Sequence, residues 1–452
     1  MKFFFKSIAY LGLILLLSIA TVSADAKKKK AVDVWPDGTP IAAWFSDTAK
    51  VDVNMLGRKY VITEHGVKND STLLQTVAIQ QVIDKAAQQG GGVIIVPKGT
   101  FLTGALFFRQ GTHLHLTEGG TLKGVDAIKH YPLLKTRMEG QTLNYFAALI
   151  NADGIDGFSI SGKGTINGNG LRFWEEFWIR RKFNPQCTNL EALRPRLVYI
   201  SNCRNVTVQD VHLVNSAFWT NHLYRCERVK YLGCTIYAPH EPADAKAPSS
   251  DAIDIDVCND VLINGCYISV NDDAVVLKGG KGTWADKNPD NGPNSCVIIQ
   301  NCRYGFVHGC LTLGSESLHD WNVILRNCQV DQAARVLWLK MRPDTPQHYE
   351  FVTVENLTGS CGSFLVVRPW TQFFKPEQRD DMPLSQCNNI VIRNIDMTSN
   401  NFFDVGSSDK YKLKDFVFDG IRVNDKKDAF RPELIENVVV KDVVINGKER
   451  KH

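Results

Sequence analysis

Two aspartates stand side by side in "NDDAVVLKGG", Asp272 and Asp273, where a short β-branched run begins. A third, Asp251, opens "DAIDID" upstream, and His308 and Lys340 follow downstream in "HGCLTL" and "RVLWLK". Carboxyls held within a few ångströms repel one another, so at least one keeps its proton more tightly than usual. A protonated acid beside an ionised one suits cleavage of a glycosidic bond. One carboxyl protonates the leaving oxygen, and another draws a proton from water on the opposite face of the sugar. An Asp-Asp pair alone is equally well explained as a turn that breaks a strand, so the fold must decide whether these acids meet.

The fold is legible in a repeat. The segments "VTVQDV", "VKYLGC", "VLINGC", "VIIQNC", "VILRNC", "VTVENL", "IVIRNI", "FVFDGI" and "VVVKDV" end at Val211, Cys234, Cys266, Cys302, Cys328, Leu357, Ile395, Ile421 and Val443, 22 to 38 residues apart. Each alternates with period two and places Asn, Asp or Gly before its last apolar residue, as a strand entering a turn does. Such repeats predict an all-β solenoid of stacked coils about 4.8 Å apart, with insertions in loops. Stacking sets "DAIDID" from Asp251, "DAVVLK" from Asp273, "HGCLTL" from His308 and "RVLWLK" from Arg335 side by side. Three aspartates, His308, Lys340 and Trp338 then gather. Adjacent residues of a regular strand face opposite ways, so Asp272 and Asp273 reach one groove only if the chain bends before "AVVLK".

A solenoid must cover its raw end. Leu74, Ala78, Val82 and Ala86, spaced by four, predict an amphipathic capping helix over 72–88 that Gly90-Gly91-Gly92 terminates, followed by an early strand in "GVIIVPKGTF".

Residues 1–24 read as a secretory signal peptide, with Lys2 and Lys6, an apolar run from Ile8 to Ala20, and Val22-Ser23-Ala24. Residues 25–452 are then a single domain, secreted or periplasmic. The first cysteine is Cys187, which argues against a lipid anchor. With 52 basic and 48 acidic residues, the chain lacks the charge of a nucleic-acid binder, and Lys27 to Lys30 reads as a solvated tail. Of 12 cysteines, Cys234, Cys266, Cys302 and Cys328 share one inward position, which favours buried thiols over disulfides. Their spacing lacks a zinc pattern.

The motifs resemble glycoside hydrolase family 28, the polygalacturonase and rhamnogalacturonan hydrolase family of right-handed parallel β-helices. Its Asn-Thr-Asp, Asp-Asp, His-Gly and Arg-Ile-Lys motifs correspond in order to "SSDAIDID", "NDDAVVLKGG", "VHGCLTLGSES" and "RVLWLKMRP". The likeness extends to "NSAFWTNHLYRC" and "AIQQVIDKAAQQGGGVIIVPKGTF", and so over most of the chain. It implies single-displacement hydrolysis of pectin with inversion, no metal or other cofactor, and a monomer acting on a pectic polysaccharide or oligosaccharide. Asp272 would be the general acid, Asp251 and Asp273 would activate water, His308 would tune the acid, and Lys340 would hold a sugar carboxylate on the leaving-group side. Inversion implies carboxyls about 6.5–9.5 Å apart.

Two departures stand out. Ser249 and Ser250 replace Asn and Thr, and Trp338 occupies the place of the carboxylate-clamping arginine. A tryptophan offers a flat apolar face, so rhamnogalacturonan competes with homogalacturonan as substrate. Trp338 is either this platform or core; Leu337 and Leu339 have the opposite parity, which favours the groove. Lys278, Lys281, Arg335, Arg342 and Arg368 either neutralise an acidic polymer or are merely solvated. Glu316 in "GSES" resembles exo-acting members. His222 and His240 are either subsite contacts or structural. Trp174, Phe177 and Trp178 belong either to a wall at one groove end or to a packed helix. Outside the hydrolases, a Ca²⁺-dependent pectate lyase and a non-catalytic glycan-binding solenoid remain alternatives.

Overall fold

The residue before each repeat endpoint turns the chain. Asp210, Gly233, Gly265, Asn301, Asn327, Asn356, Asn394, Gly420 and Asp442 all have φ between +48° and +67°, the left-handed region that Gly, Asn and Asp enter most cheaply. Asp210, Gly233, Gly265 and Asn301 follow the end of a strand, and the other five bend a continuous one, each redirecting the chain onto the next face of the coil. The asparagines also bind along the stack: Asn356 Nδ2 donates to Asn327 Oδ1 at 2.9 Å and Asn394 Nδ2 to Asn356 Oδ1 at 3.1 Å.

The result, in a computed structural model describing residues 33–240, 245–372 and 376–451, is a right-handed parallel β-helix. Val34–His452 forms one compact unit. Cys328, Leu357, Ile395, Ile421 and Val443 are register partners on successive coils, as the repeat requires. Inside, the column Val206, Val229, Val261, Val297, Val323, Val352, Ile390, Phe416 runs in register. These side chains are almost wholly buried, each stabilising the fold by about 1.5–3 kcal/mol. All twelve cysteines are free thiols. A second set, Cys203, Cys226 and Cys258, parallels the expected one, with the Cys226 amide donating to Cys258 Sγ at 3.4 Å.

Both ends are covered. Helix α1, Thr76–Gln88, lays Ile79, Val82, Ile83 and Ala86 on the core. It starts four residues later than the spacing predicts, because Leu74 forms a bridge with Leu102 instead. Its last turn closes through the Gly91 amide on Ala86 O at 2.8 Å. At the far end Lys448–Arg450 folds back antiparallel on Val439–Ile445, leaving charged residues on the final edge. The signal-peptide residues lie outside the described residues, and no described helix is long and apolar enough to cross a membrane.

Two insertions leave the coil. Helix α2, Leu171–Phe183, packs through Trp174, whose indole donates to Ser216 O at 3.0 Å. An antiparallel hairpin pairs Leu133–Met138 with Gln141–Phe146 around Glu139 and Gly140, both at positive φ. The repeat pattern did not reveal this hairpin, although a two-residue Glu-Gly turn between alternating segments is a hairpin signal.

Candidate active site

The strands Ile253–Asp256, Val275–Lys278, Arg303–Leu313 and His319–Met341 place Ile253, Val275, Leu311 and Leu337 in one column. Leu337 and Leu339 point into the core, so Trp338 faces outward, beside Thr312. The register differs by one residue from the expected match: Arg335 pairs with Gly309, not His308. His308 therefore sits over Asp272, its amide donating to Asp272 O at 2.8 Å. Asp272 and Asp273 lie in a bend just before Val275, the departure from pleating that lets both reach one cleft.

That cleft, about 310 Å³, is lined by Asp251, Asp272, Asp273, His308, Lys278, Trp338 and Lys340, among others. One oxygen from each aspartate lies within 4.8 Å of the others. The acids are thus packed more tightly than the 6.5–9.5 Å expected of a pair flanking a water. Lys278, 5% exposed, supplies the counter-charge, with Nζ 3.7 Å from Asp251, 3.4 Å from Asp254 and 3.5 Å from Glu316. It also lies 4.3 Å over the Trp219 ring. Lys340 Nζ donates to Asp273 Oδ2 at 2.7 Å. Lys278 is therefore the counter-ion of the buried acids rather than a surface cation that neutralises substrate.

The cluster stores a proton. Burial, then the charges of Asp272 and Asp254, push the Asp251 carboxyl well above the carboxylate range. Burial also raises Asp254 to about 7, against the pull of Lys278. Burial would raise Asp272 too, but the His308 ring 3.5 Å away, with Lys340 and Lys278, outweighs it and holds that carboxyl low. Burial would lower His308, and the hydrogen bond and charge of Asp272 reverse this. Asp251 and Asp272 thus form a coupled pair in which burial and mutual repulsion favour retention of a proton. Asp272 is nevertheless the most exposed of the three, its side chain 27% accessible against 7% and 2% for Asp251 and Asp273.

The remaining expected residues divide. Trp338 carries Arg335 3.8 Å and Lys340 4.1 Å over its ring, with Trp370 edge-on at 5.3 Å. The ring is engaged with two cations rather than presented bare to a sugar. Arg335 thus sets a guanidinium against the ring that stands where the motif has an arginine, although it is not among the residues lining the cleft. Arg368 is exposed and turned to Asp404, its Nε 2.9 Å from Oδ1, and it does not line the cleft. Phe177 and Trp178 of α2 do line it, so that insertion is both packed helix and wall. His222 is buried under the floor, 2.7 Å from Arg196 Nη1; His240 stacks on Phe306 at 4.4 Å.

Asp254, Trp219, Trp370 and Glu139 were not among the expected site residues. Asp254 stood in "DAIDID" at a position facing away from the core-directed isoleucines. Glu139, at the hairpin tip, lies 3.4 Å from Lys281. The hairpin is anchored by Arg137, whose Nε donates to Asp256 Oδ2 at 3.0 Å in full burial. Glu139 of the hairpin tip thus lines the cleft, and a neighbouring hollow lined by Gly140 and Gln141 shares Lys281 and Arg342 with it. A separate hollow of about 510 Å³, lined by Leu134, Arg137, Tyr199 and Tyr224, lies along the hairpin.

The chain is similar to known proteins. A family model described as "Glycosyl hydrolases family 28" matches residues 93–358. An exo-poly-α-D-galacturonosidase of Dickeya chrysanthemi is 36% identical over 341 residues, 65% of this chain and 54% of that protein. A probable polygalacturonase of Vitis vinifera is 27% identical over 228 residues, and the match covers 48% of this chain and 44% of that protein. The chain thus spans less than half of the Vitis relative and about half of the Dickeya one. The crystal structure of a hyperthermoactive exopolygalacturonase from Thermotoga maritima superposes with a TM-score of 0.70 at 22% identity, covering 86% of this chain and 92% of that one. Fold, motif order and family match agree: the chain belongs to glycosyl hydrolase family 28.

Proposed function

We propose that the protein is a secreted or periplasmic exo-acting polygalacturonase that hydrolyses terminal α-galacturonosyl linkages of pectic chains. The observation that carries this reading is a cleft in which three aspartates converge beside cations and whose lining includes Glu139 of the hairpin tip; in this reading the tip closes that end. Arg335 and Lys340, on the coil beyond the acids, supply positive charge for a galacturonate carboxylate on the leaving-group side. The sugar to be released lies on the other side, between the acids and Glu139. That blocked side admits a chain end and excludes continuing polymer.

In this reading Asp272, the exposed acid, touches the glycosidic oxygen and delivers the proton that the Asp251 and Asp272 pair holds in common. Asp251 and Asp273 orient the attacking water, and His308 holds Asp272 in place. Inversion in this reading rests on the family resemblance: the water held by Asp251 and Asp273 attacks the anomeric carbon from the face opposite the leaving oxygen.

Defined oligogalacturonides and rhamnogalacturonan oligosaccharides test this directly. We expect release of saturated mono- or disaccharide from oligogalacturonides, with inverted anomeric form by NMR and little early loss of polymer viscosity. An unsaturated, chelator-sensitive product would indicate a lyase, and binding without new reducing ends would indicate a non-catalytic solenoid. Replacing residues 138–141 by a short turn, which leaves Arg137 in place, is expected to broaden products towards internal cleavage; an unchanged product ladder would remove the hairpin from this role.

Rhamnogalacturonan hydrolysis is the second reading, favoured by Trp338 in place of the arginine. The two cations over that ring weigh for an acidic sugar. Arg335→Gln is expected to raise KM for oligogalacturonate about 10-fold with a smaller change in kcat, the scale of one hydrogen bond to a charged group. An unchanged KM would place the leaving-group sugar elsewhere.

A further inference from the structure

Away from the cleft, a second cluster joins metal-ligating side chains across two coils. His319 and His348 are register partners on neighbouring parallel strands. Their rings stack 4.9 Å apart and only 4° from parallel. Glu350 follows His348 by two residues and so shares its outward face, while the intervening Tyr349 is buried in the core. The two imidazoles converge on this one carboxylate, each on its own oxygen. His319 Nε2 lies 2.9 Å from Oε1 and His348 Nε2 lies 3.5 Å from Oε2. One ligand atom from each residue falls within 4.8 Å of the other two.

We propose that His319, His348 and Glu350 form a site for one divalent ion of the zinc, nickel or copper class. Two imidazole nitrogens and one carboxylate oxygen suit these ions better than magnesium or calcium, which prefer all-oxygen shells. Zinc–nitrogen bonds of about 2.0–2.1 Å place tetrahedral donors about 3.3 Å apart. The donors must therefore close in by roughly an ångström, which side-chain rotation at half-exposed positions allows without moving the strands. Ligation through Nε2 moves each ring's proton to Nδ1. Asn388 Oδ1, 2.8 Å from His348 Nε2, is a further oxygen at the rim.

The site's place in the fold gives it a consequence. His319 begins the strand directly after the turn that carries Glu316. The coil bearing His348 already holds that turn, through the His348 amide on Leu318 O at 2.7 Å and Gln347 Nε2 on Ser315 O and Ser317 O at 2.9 and 3.0 Å. An ion joining His319 to His348 clamps the same two coils. Because the ion binds the folded state selectively, it raises the melting temperature.

The test uses untagged, chelator-stripped full chain titrated with zinc chloride by calorimetry, with melting followed in parallel. The expected result is one saturable ion per chain and a rise of about 3 °C at saturation. Both should be lost in the double variant His319→Ala, His348→Ala, and Glu350→Gln should weaken binding at least tenfold. Cobalt substitution provides a readout independent of variant folding. A d–d spectrum of nitrogen and oxygen ligation without a sulfur charge-transfer band is expected. Absence of saturable binding, or binding that the double variant retains, overturns the proposal; the latter would move the ion to the aspartates or the thiols.

Discussion

Asp272→Asn is expected to lower kcat on oligogalacturonate by about 10³-fold or more, within the range for loss of a general acid. The amide has the same shape but cannot transfer a proton to the leaving oxygen. The fold should survive. Asp272 is the most exposed of the three acids, and an asparagine Oδ1 can still accept the Asp273 amide as the carboxylate does at 3.1 Å. Steady-state kinetics together with an unchanged melting curve check this. Near-normal turnover would transfer the donor role to Asp251, whose carboxyl burial and neighbouring charges push upward.

Lys278→Met is expected to have the largest effect on stability. It strips the shared cation from Asp251, Asp254 and Glu316, and removing one partner of a buried ion pair costs about 3–5 kcal/mol. The dependence on pH follows from the shifts. Burial would raise Glu316, and Lys278, with Lys281, Arg342 and Lys340, instead holds it far below its usual value. A depressed carboxyl stabilises the fold above its unfolded pKa, and that contribution disappears as pH falls. Without Lys278 the buried carboxyls bind protons more tightly folded than unfolded. Their contribution is then complete below the unfolded value of about 4 and declines as pH rises through the folded values; that of Asp254 lies above the value of about 7 that it has with Lys278 in place. The gap between wild type and variant should therefore be widest near pH 7 and narrow towards pH 5. Denaturant melts at both values check this; a gap independent of pH would mean that Lys278 acts by packing on Trp219.

The coil was readable because two independent signals coincide at every turn. Alternation with period two marks the strand, and Asn, Asp or Gly marks a corner that needs positive φ. The one-residue error at His308 shows which signal should rule. Matching polar heads aligned His308 with Arg335, whereas matching Leu311 and Leu313 with Leu337 and Leu339 gives the observed register. A slip of one residue exchanges core and surface, so the apolar alternation is the safer guide. The acids were legible because each stands next to a strand of the repeat. The counter-ion role of Lys278 was not, since it depends on three carboxyls from separate coils converging on one ammonium. Trp219, Trp370 and Glu139 enter the cleft from outside the strands that the motifs mark.

In the proposed exo-acting reading, the hairpin at the cleft also shapes how the polymer is consumed. A passage open at both ends lets an enzyme slide along its track, whereas a cul-de-sac admits a tip and offers the detached sugar no exit but the entrance. The trimmed strand must therefore back out before the liberated unit can follow, so each cut ends the encounter. Digestion should nibble evenly at many termini rather than devour one strand at a time.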